Sequence, residues 1–223
     1  MFKKDVDIDA VPYYTSFMPN YIRNRVPGGT YFFTVVTEGR QPILQDRGID
    51  LLRQAFRQCL NRFPFTIDAA VVLPDHLHAI WTLPEDDDEY SKRWGFIKKE
   101  FTKSWRGAGG AEQPISRARQ REGRAGVWVP RFWEHTIRDG HDLRRHMDYV
   151  HYNAVKHGHA CCPHEWQKSS FHRSVRQGLY ELDWGCSCDR CSAGLRPALD
   201  FDDITATVGE DDTKWPRCKH GVL

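Results

Sequence analysis

The sequence predicts an α+β fold, an antiparallel sheet with helices packed on it, and three observations carry the prediction. Short β-branched and aromatic runs alternate with amphipathic stretches of helical period. Two of the runs are separated only by Pro74-Asp75, so a hairpin interrupts that alternation. No apolar run approaches the roughly 20 residues needed to span a bilayer. At 223 residues, with 40% hydrophobic and 13% aromatic content, the chain is long enough to bury a sizeable core.

The elements follow in order. Residues 1–20 show no period and read as an N-terminal arm. YFFTVVT (31–37), bounded by Gly-rich and charged turns, is the first strand. DRGIDLLRQAFRQCLNR (46–62) places Ile49, Leu52, Ala55, Phe56 and Leu60 on one helical face. FTIDAAVVL (65–73) and HLHAIWTL (76–83) form the hairpin. In SKRWGFIKKEFTKSWR (91–106), Trp94, Ile97, Phe101 and Trp105 form a buried stripe, with Lys92, Arg93, Lys98, Lys99, Lys103 and Arg106 on the other faces. The Gly- and Arg-rich connection 107–126 is expected to be mobile. VWVPRFWEHTI (127–137) is a fourth strand, irregular at Pro130. DLRRHMDYVHYNAVKHG (142–158) is a third long helix, with Leu143, Met147, Val150 and Ala154 on its core face and Gly158 as its stop. The order strand, helix, strand, strand, helix, strand, helix is that of a ferredoxin-like sandwich, with helices expected on one face of the sheet.

Charge is unevenly distributed. From Leu199 onward there are three basic residues against six acidic ones, which leaves 29 basic and 24 acidic before the tail. A basic body with an acidic end suits a protein that binds polyanions. The start MFKKDVDIDA lacks a signal-peptide core, and seven cysteines, an odd number clustered late, suit a reducing compartment better than a disulfide framework. A cytoplasmic place is expected.

VVLPDHLHAIW (71–81) sets two histidines two residues apart inside an apolar run. Side chains alternate along a strand, so His76 and His78 point to the same side and can meet one ligand. Neutral imidazole is a common ligand of divalent transition metals, although a buried histidine also serves as an ordinary hydrogen-bonding group. On the third helix Tyr149 and Asn153 are four residues apart and share a flank, which Lys156 extends and His146 precedes by one turn. If that helix packs beside the histidine strand, Asn153 Oδ1 is placed as a third metal ligand and the Tyr149 hydroxyl faces a metal-bound phosphate. A phenol, with an ordinary pKa of about 10, needs its developing charge stabilised before it can attack. Tyr152 is the competing nucleophile, but it lies about 100° round the helix from Asn153, whereas Tyr149 is nearly above it.

In order along the chain, NYIRNRVPGGTYFFTVVT (20–37), DAAVVLPDHLHAIWTLPE (68–85), RFWEHTIRD (131–139), DYVHYNAVKHG (148–158) and SSFHRSVRQGLY (169–180) resemble the REP-associated tyrosine transposases. These belong to the single-tyrosine HUH transposase superfamily. The resemblance covers residues 20–184, with His76-Leu77-His78 at the HUH motif and Tyr149 at the position of the nucleophile. It implies a metal-dependent single-strand DNA endonuclease and strand transferase, using Mg²⁺ or Mn²⁺. Its implied substrates are hairpins of repetitive extragenic palindromes, cut through a 5′-phosphotyrosine intermediate by an enzyme working at the nucleoid. It also implies Asn153 as third metal ligand. One departure is Asn153-Ala154-Val155 where the family usually has Asn-Pro-Val, a change expected to relax the end of the helix.

The domain reading is therefore an arm (1–20), an HUH transposase domain (21–184) and a Cys-containing acidic tail (185–223). Candidate phosphate contacts are Arg23, Arg25, Lys98, Lys99, Lys103 and Arg131. In the tail, CSCDRC supplies Cys186, Cys188 and Cys191 as candidate ligands of a structural Zn²⁺, to be completed by Cys218, His220, Cys161 or Cys162. Two other functions stay open at this point: a hairpin-binding protein without efficient cleavage, and a metal-dependent phosphate hydrolase, which the basic helix argues against.

Overall fold

The computed structural model describes residues 23–186, so the expected arm and nearly all of the tail lie outside the described residues. Four strands, β1 (Thr30–Val36), β2 (Thr66–Val72), β3 (His76–Thr82) and β4 (Trp133–Thr136), form one antiparallel sheet in the order β2-β3-β1-β4. The long helices are α1 (Arg47–Arg62), α2 (Tyr90–Gly107) and α4 (Gly140–Lys156); α3 (Arg117–Arg121) and α5 (Phe171–Arg176) are short. This is the ferredoxin-like order: α1 returns the chain so that β2 leaves room beside β1, and the tight hairpin drops β3 into the gap.

The helices occupy both faces of the sheet, not one. On one face, Tyr31, Phe33, Val35, Leu77, Ala79 and Trp81 pack against α1 and α2, where the rings of Trp81 and Trp94 stack at 4.1 Å. On the other, Phe32, Ala69, Val71, Leu73 and Ile80 receive Val150 and Ala154 of α4, with Leu143 and Met147 at the margin. The reason is visible in the strands: all of β3 but its last residue is buried, and the last four residues of β2 are buried. A strand covered on both faces reads as a continuous apolar run and needs a second layer of helices.

Three local features depart from the expected picture. The connection 107–126 is tied down: Arg119 grips Glu38 through two bonds of 2.9 and 2.7 Å, and Gln113 N donates to Gly126 O at 2.8 Å. A Cβ on Gly126 would come within 1.8 Å of Gln113 O, so only glycine permits that approach. The fourth strand is short because Pro130 interrupts it; Trp128 bridges Thr37 separately before β4 pairs with β1. Alanine at 154 does not relax α4, which runs unbroken to Lys156 and ends at Gly158 with φ 69°.

Arg93 departs as well. It does not lie on a solvated face: it is buried, forks onto Asp87 at 2.9 and 2.7 Å, and donates to the carbonyls of Phe63 and Pro64. Arg93→Ala strips those acceptors of a shared donor and is expected to destabilise the fold by about 2–3 kcal/mol. Urea denaturation checks this, and a change within about 0.5 kcal/mol would place Arg93 among ordinary surface residues.

Candidate functional site

The Pro74-Asp75 turn starts β3 with His76, and strand alternation turns His76, His78 and Ile80 towards the α4 face. The two imidazoles stand edge to face, 5.0 Å between ring centroids. Each is held through Nδ1. Asp75 Oδ1 lies 2.6 Å from His76 Nδ1, and Thr34 Oγ1 lies 2.9 Å from His78 Nδ1. Thr34 reaches its partner because β1 and β3 pair in a register that sets Thr34 opposite His78. If each Nδ1 carries the proton and donates it, each Nε2 presents a lone pair, the arrangement found around metal-ligating histidines. His78 Nε2 is buried and has no hydrogen-bond partner among the described residues. Burial pulls the His78 pKa well below the ordinary histidine range, and the neighbouring His76 pulls it further, so the ring is neutral and able to accept.

Helix α4 brings the other half. The Tyr149 ring meets His78 edge to face at 5.1 Å, and the His157 ring meets His76 at 5.2 Å. Asn153 lies one turn from each on the same flank, fully buried, with neither amide atom hydrogen-bonded to any described residue. A buried amide without partners is costly unless something else satisfies it. His78 Nε2 and Asn153 Oδ1 thus meet the chemical requirement for a hard or borderline divalent cation, with His76 as the third donor. Lys156 Nζ lies 5.0 Å from the centre of the Tyr149 ring. Tyr152 faces elsewhere: it is exposed and its ring borders Trp184 at 6.3 Å.

The N-terminal half of α4 is anchored by a charged network. Asp139 caps the helix by accepting from Asp142 N at 2.8 Å. Asp142 Oδ2 accepts from His135 Nε2 at 2.8 Å and from Arg138 N and Nε at 3.1 and 2.9 Å. Its carboxyl is buried, which alone would raise its pKa, but the bonds from Arg138 and His135 outweigh this and hold it well below the usual carboxylate range. His146 stacks on His135 at 4.6 Å and leans on Phe32, fixing how α4 meets β1 and β4.

The remaining candidates scatter. Arg23 lies over the Phe132 ring at 4.1 Å and donates to Ser91, while Arg25 pairs with Glu89 and Asp88. Lys98, Lys99 and Lys103 stand on α2, across the sheet from the histidines; Lys99 and Lys103 are exposed. Lys98 donates to Val129 O at 2.9 Å, and burial pulls its pKa down to about 7. Arg131 is exposed beside β4. Cys188 and Cys191 lie outside the described residues, and Cys186 lies near His164, with Sγ 3.5 Å from Nδ1. Sequence reasoning missed Asp75, Thr34 and His157. Asp75 directly precedes the histidine pair and His157 follows Asn153 by one turn, so both were within reach. Thr34 emerges only from strand register.

Comparison with known proteins shows which family the chain resembles. Over 179 residues the chain is 42% identical to the REP-associated tyrosine transposase of Escherichia coli strain K12, covering 80% of this chain and 98% of that protein. It is 41% identical over 172 residues to a candidate REP-associated tyrosine transposase of Haemophilus influenzae, covering 77% of this chain and 96% of the relative. A solved structure of a REP-associated tyrosine transposase bound to a REP hairpin, 42% identical, superposes with a TM-score of 0.63 over 80% of this chain and 98% of that one. No protein-family model matches the chain.

The Asp142 network supports a stability prediction. Asp142→Ala leaves three donors without their carboxylate and is expected to cost about 2 kcal/mol near neutral pH. A carboxyl whose folded-state pKa is depressed stabilises fully above its unfolded value of about 3.9 and loses that contribution as pH falls towards the folded value. The gap between parent and variant in urea midpoint is therefore expected to narrow between about pH 5 and about pH 3. A gap that stays constant or widens would contradict the assigned direction.

Proposed function

The chain belongs to the REP-associated tyrosine transposase family, and on that premise we propose that it is a metal-dependent single-strand DNA endonuclease and strand transferase. Its substrates are hairpins of repetitive extragenic palindromes, bound by the domain spanning residues 21–184, and its place is the cytoplasmic nucleoid. One observation carries the reading: the Tyr149 ring lies against His78, whose buried Nε2 has no hydrogen-bond partner among the described residues, on the flank that also buries the amide of Asn153, likewise without a partner among them. A structural tyrosine would not require an imidazole lone pair and an amide to be left unsatisfied beside it.

In the reaction, Tyr149 Oη attacks the scissile phosphorus. The Oη–P bond forms as the P–O3′ bond breaks; the phenolic proton passes to solvent and O3′ leaves as a free 3′-hydroxyl after taking up a proton. The product is a 5′-phosphotyrosine link, and attack by a 3′-hydroxyl on that phosphorus reverses the step and rejoins a strand. His76, His78 and Asn153 would hold Mg²⁺ or Mn²⁺, which when bound neutralises phosphate charge and makes phosphorus more electrophilic. Asp75, whose carboxylate can only accept, sets the His76 tautomer, and Thr34 orients the His78 ring. Lys156, over the Tyr149 ring, favours the phenolate as it develops. Phosphate contacts come from Arg131, Lys99 and Lys103, which are exposed, and from Arg23, Arg25 and Lys98 where DNA replaces their present partners.

Incubation with single-stranded palindromic DNA and Mn²⁺, followed by a denaturing gel, tests the reading. A covalent protein–DNA adduct is expected; a hairpin gel shift without any adduct would leave a binding protein, and phosphate release from small esters alone would indicate a hydrolase. Tyr149→Phe is expected to abolish the adduct with hairpin affinity nearly unchanged, while Tyr152→Phe still forms it; the reverse pattern would assign the wrong nucleophile. His76→Ala and His78→Ala are expected to lose metal-dependent cleavage, and Asn153→Ala to weaken it less severely. Asp75→Ala, which removes the partner that orients His76, is expected to lower apparent Mn²⁺ affinity or rate by about 10- to 100-fold. An unaltered Mn²⁺ titration in both histidine variants would remove the metal site.

A further inference from the structure

Two thiols and an imidazole converge outside the candidate active site. The ligating atoms of Cys162, His164 and Cys186 all lie within 4.8 Å of one another. Cys162 is fully buried and His164 nearly so. The turn Pro163–Glu165 carries His164 and is capped by Cys162, and the Glu165 carboxylate holds its start by accepting from Cys161 N at 2.8 Å and Cys162 N at 3.2 Å. The third ligand arrives from the far side of α5. Gly185, with φ 69°, presses so close that a Cβ there would lie 3.1 Å from the Tyr152 ring and 3.2 Å from Pro163, and this approach delivers Cys186 to within 3.5 Å of His164 Nδ1.

We propose that Cys162, His164 and Cys186 bind a structural zinc ion that clips the chain after α5 to the Tyr152 side of α4. With Zn–S near 2.3 Å and Zn–N near 2.0 Å, tetrahedral zinc holds its ligand atoms about 3.3–3.8 Å apart, a spacing this cluster already approaches. Ligation through His164 Nδ1 exchanges its present 3.1 Å contact with Leu182 O for the metal bond. The donor set differs in kind from the candidate active site: thiolates select zinc, whereas two imidazoles and an amide oxygen hold a divalent cation less selectively. Three protein ligands leave one position of the tetrahedron for a further donor. The ion pins the chain at Cys186, whether or not Tyr149 cuts DNA.

The test measures metal in the purified full chain by mass spectrometry and replaces zinc with Co²⁺. One zinc equivalent is expected in the parent and in a His76→Ala/His78→Ala double variant, falling to none in Cys162→Ser and in Cys186→Ser, with Cys161→Ser retaining it. Co²⁺ loading of the unmodified chain is expected to give thiolate-to-cobalt charge-transfer absorption and tetrahedral d–d bands, a readout that does not depend on any variant folding. The proposal is overturned if the parent binds no zinc and gives no such bands, or if zinc is lost with the two active-site histidines but kept without Cys162. It is equally overturned if Cys162 and Cys186 of the parent are found joined as a disulfide.

Discussion

Val150 and Ala154 pack into the apolar surface made by Phe32, Ala69, Val71 and Ile80, and the distances from the histidines to Tyr149 and His157 follow from that contact. The histidines belong to the sheet and the tyrosine to a helix, and the two are brought into register by side chains that have no chemistry of their own. A fully buried valine contributes roughly 1.5–3 kcal/mol. Alanine contributes less by burial but, being small, allows α4 to lie close to the strands. The charged anchor at the N-terminal end of α4 complements this apolar seat: Asp142 ties the helix to His135 on β4, so the helix is fixed at its N-terminal turn as well as along its face. Rotation of α4 about its axis would break both, and Tyr149 is placed as rigidly as the strand residues it faces.

The sheet and its long helices were legible because their patterns are local. Ile49, Leu52, Ala55 and Phe56 declare a helix by spacing alone, and the Pro74-Asp75 turn declares the hairpin. The second helical layer was not legible, because a run such as AAVVL is equally apolar whether one face or both are covered. At the site, spacing was enough to set His76 beside His78 and Tyr149 above Asn153, which are contacts within one element. Contacts between elements were beyond it. Thr34 meets His78 across a strand pair separated by 44 residues, and Arg93 finds Asp87 and the carbonyls after α1 only once α1 and α2 have packed. Arg93 also shows why charge counts mislead: an arginine drawn as part of a solvated face is among the most buried polar groups in the fold.

Electrostatics divides the molecule in a way composition did not foretell. The lysines of α2 stand on the opposite side of the sheet from the histidine pair, while Arg131 lies by β4. A nucleic acid that touched all of these would have to wrap an edge of the sheet. Of the six cationic candidates, Arg23, Arg25 and Lys98 are occupied by protein partners, so their use by phosphate means exchange of one partner for another, with a correspondingly smaller net gain.

The segment 168–170 has a role of a different sort. Lys168 O accepts from Val72 N, Ser170 N donates to Ala70 O, and Ser170 Oγ accepts from Ala70 N, each at 2.8 Å, along the outer side of β2. An open sheet has two borders, and a long apolar border is an invitation for another chain to add itself as a further strand. Here the apolar one, β2, is closed by the chain's own backbone, and the opposite one, β4, is four residues long between Arg131 and Arg138. The segment 168–170 thus guards a protein whose core is apolar on both sides of its sheet against polymerising through that sheet.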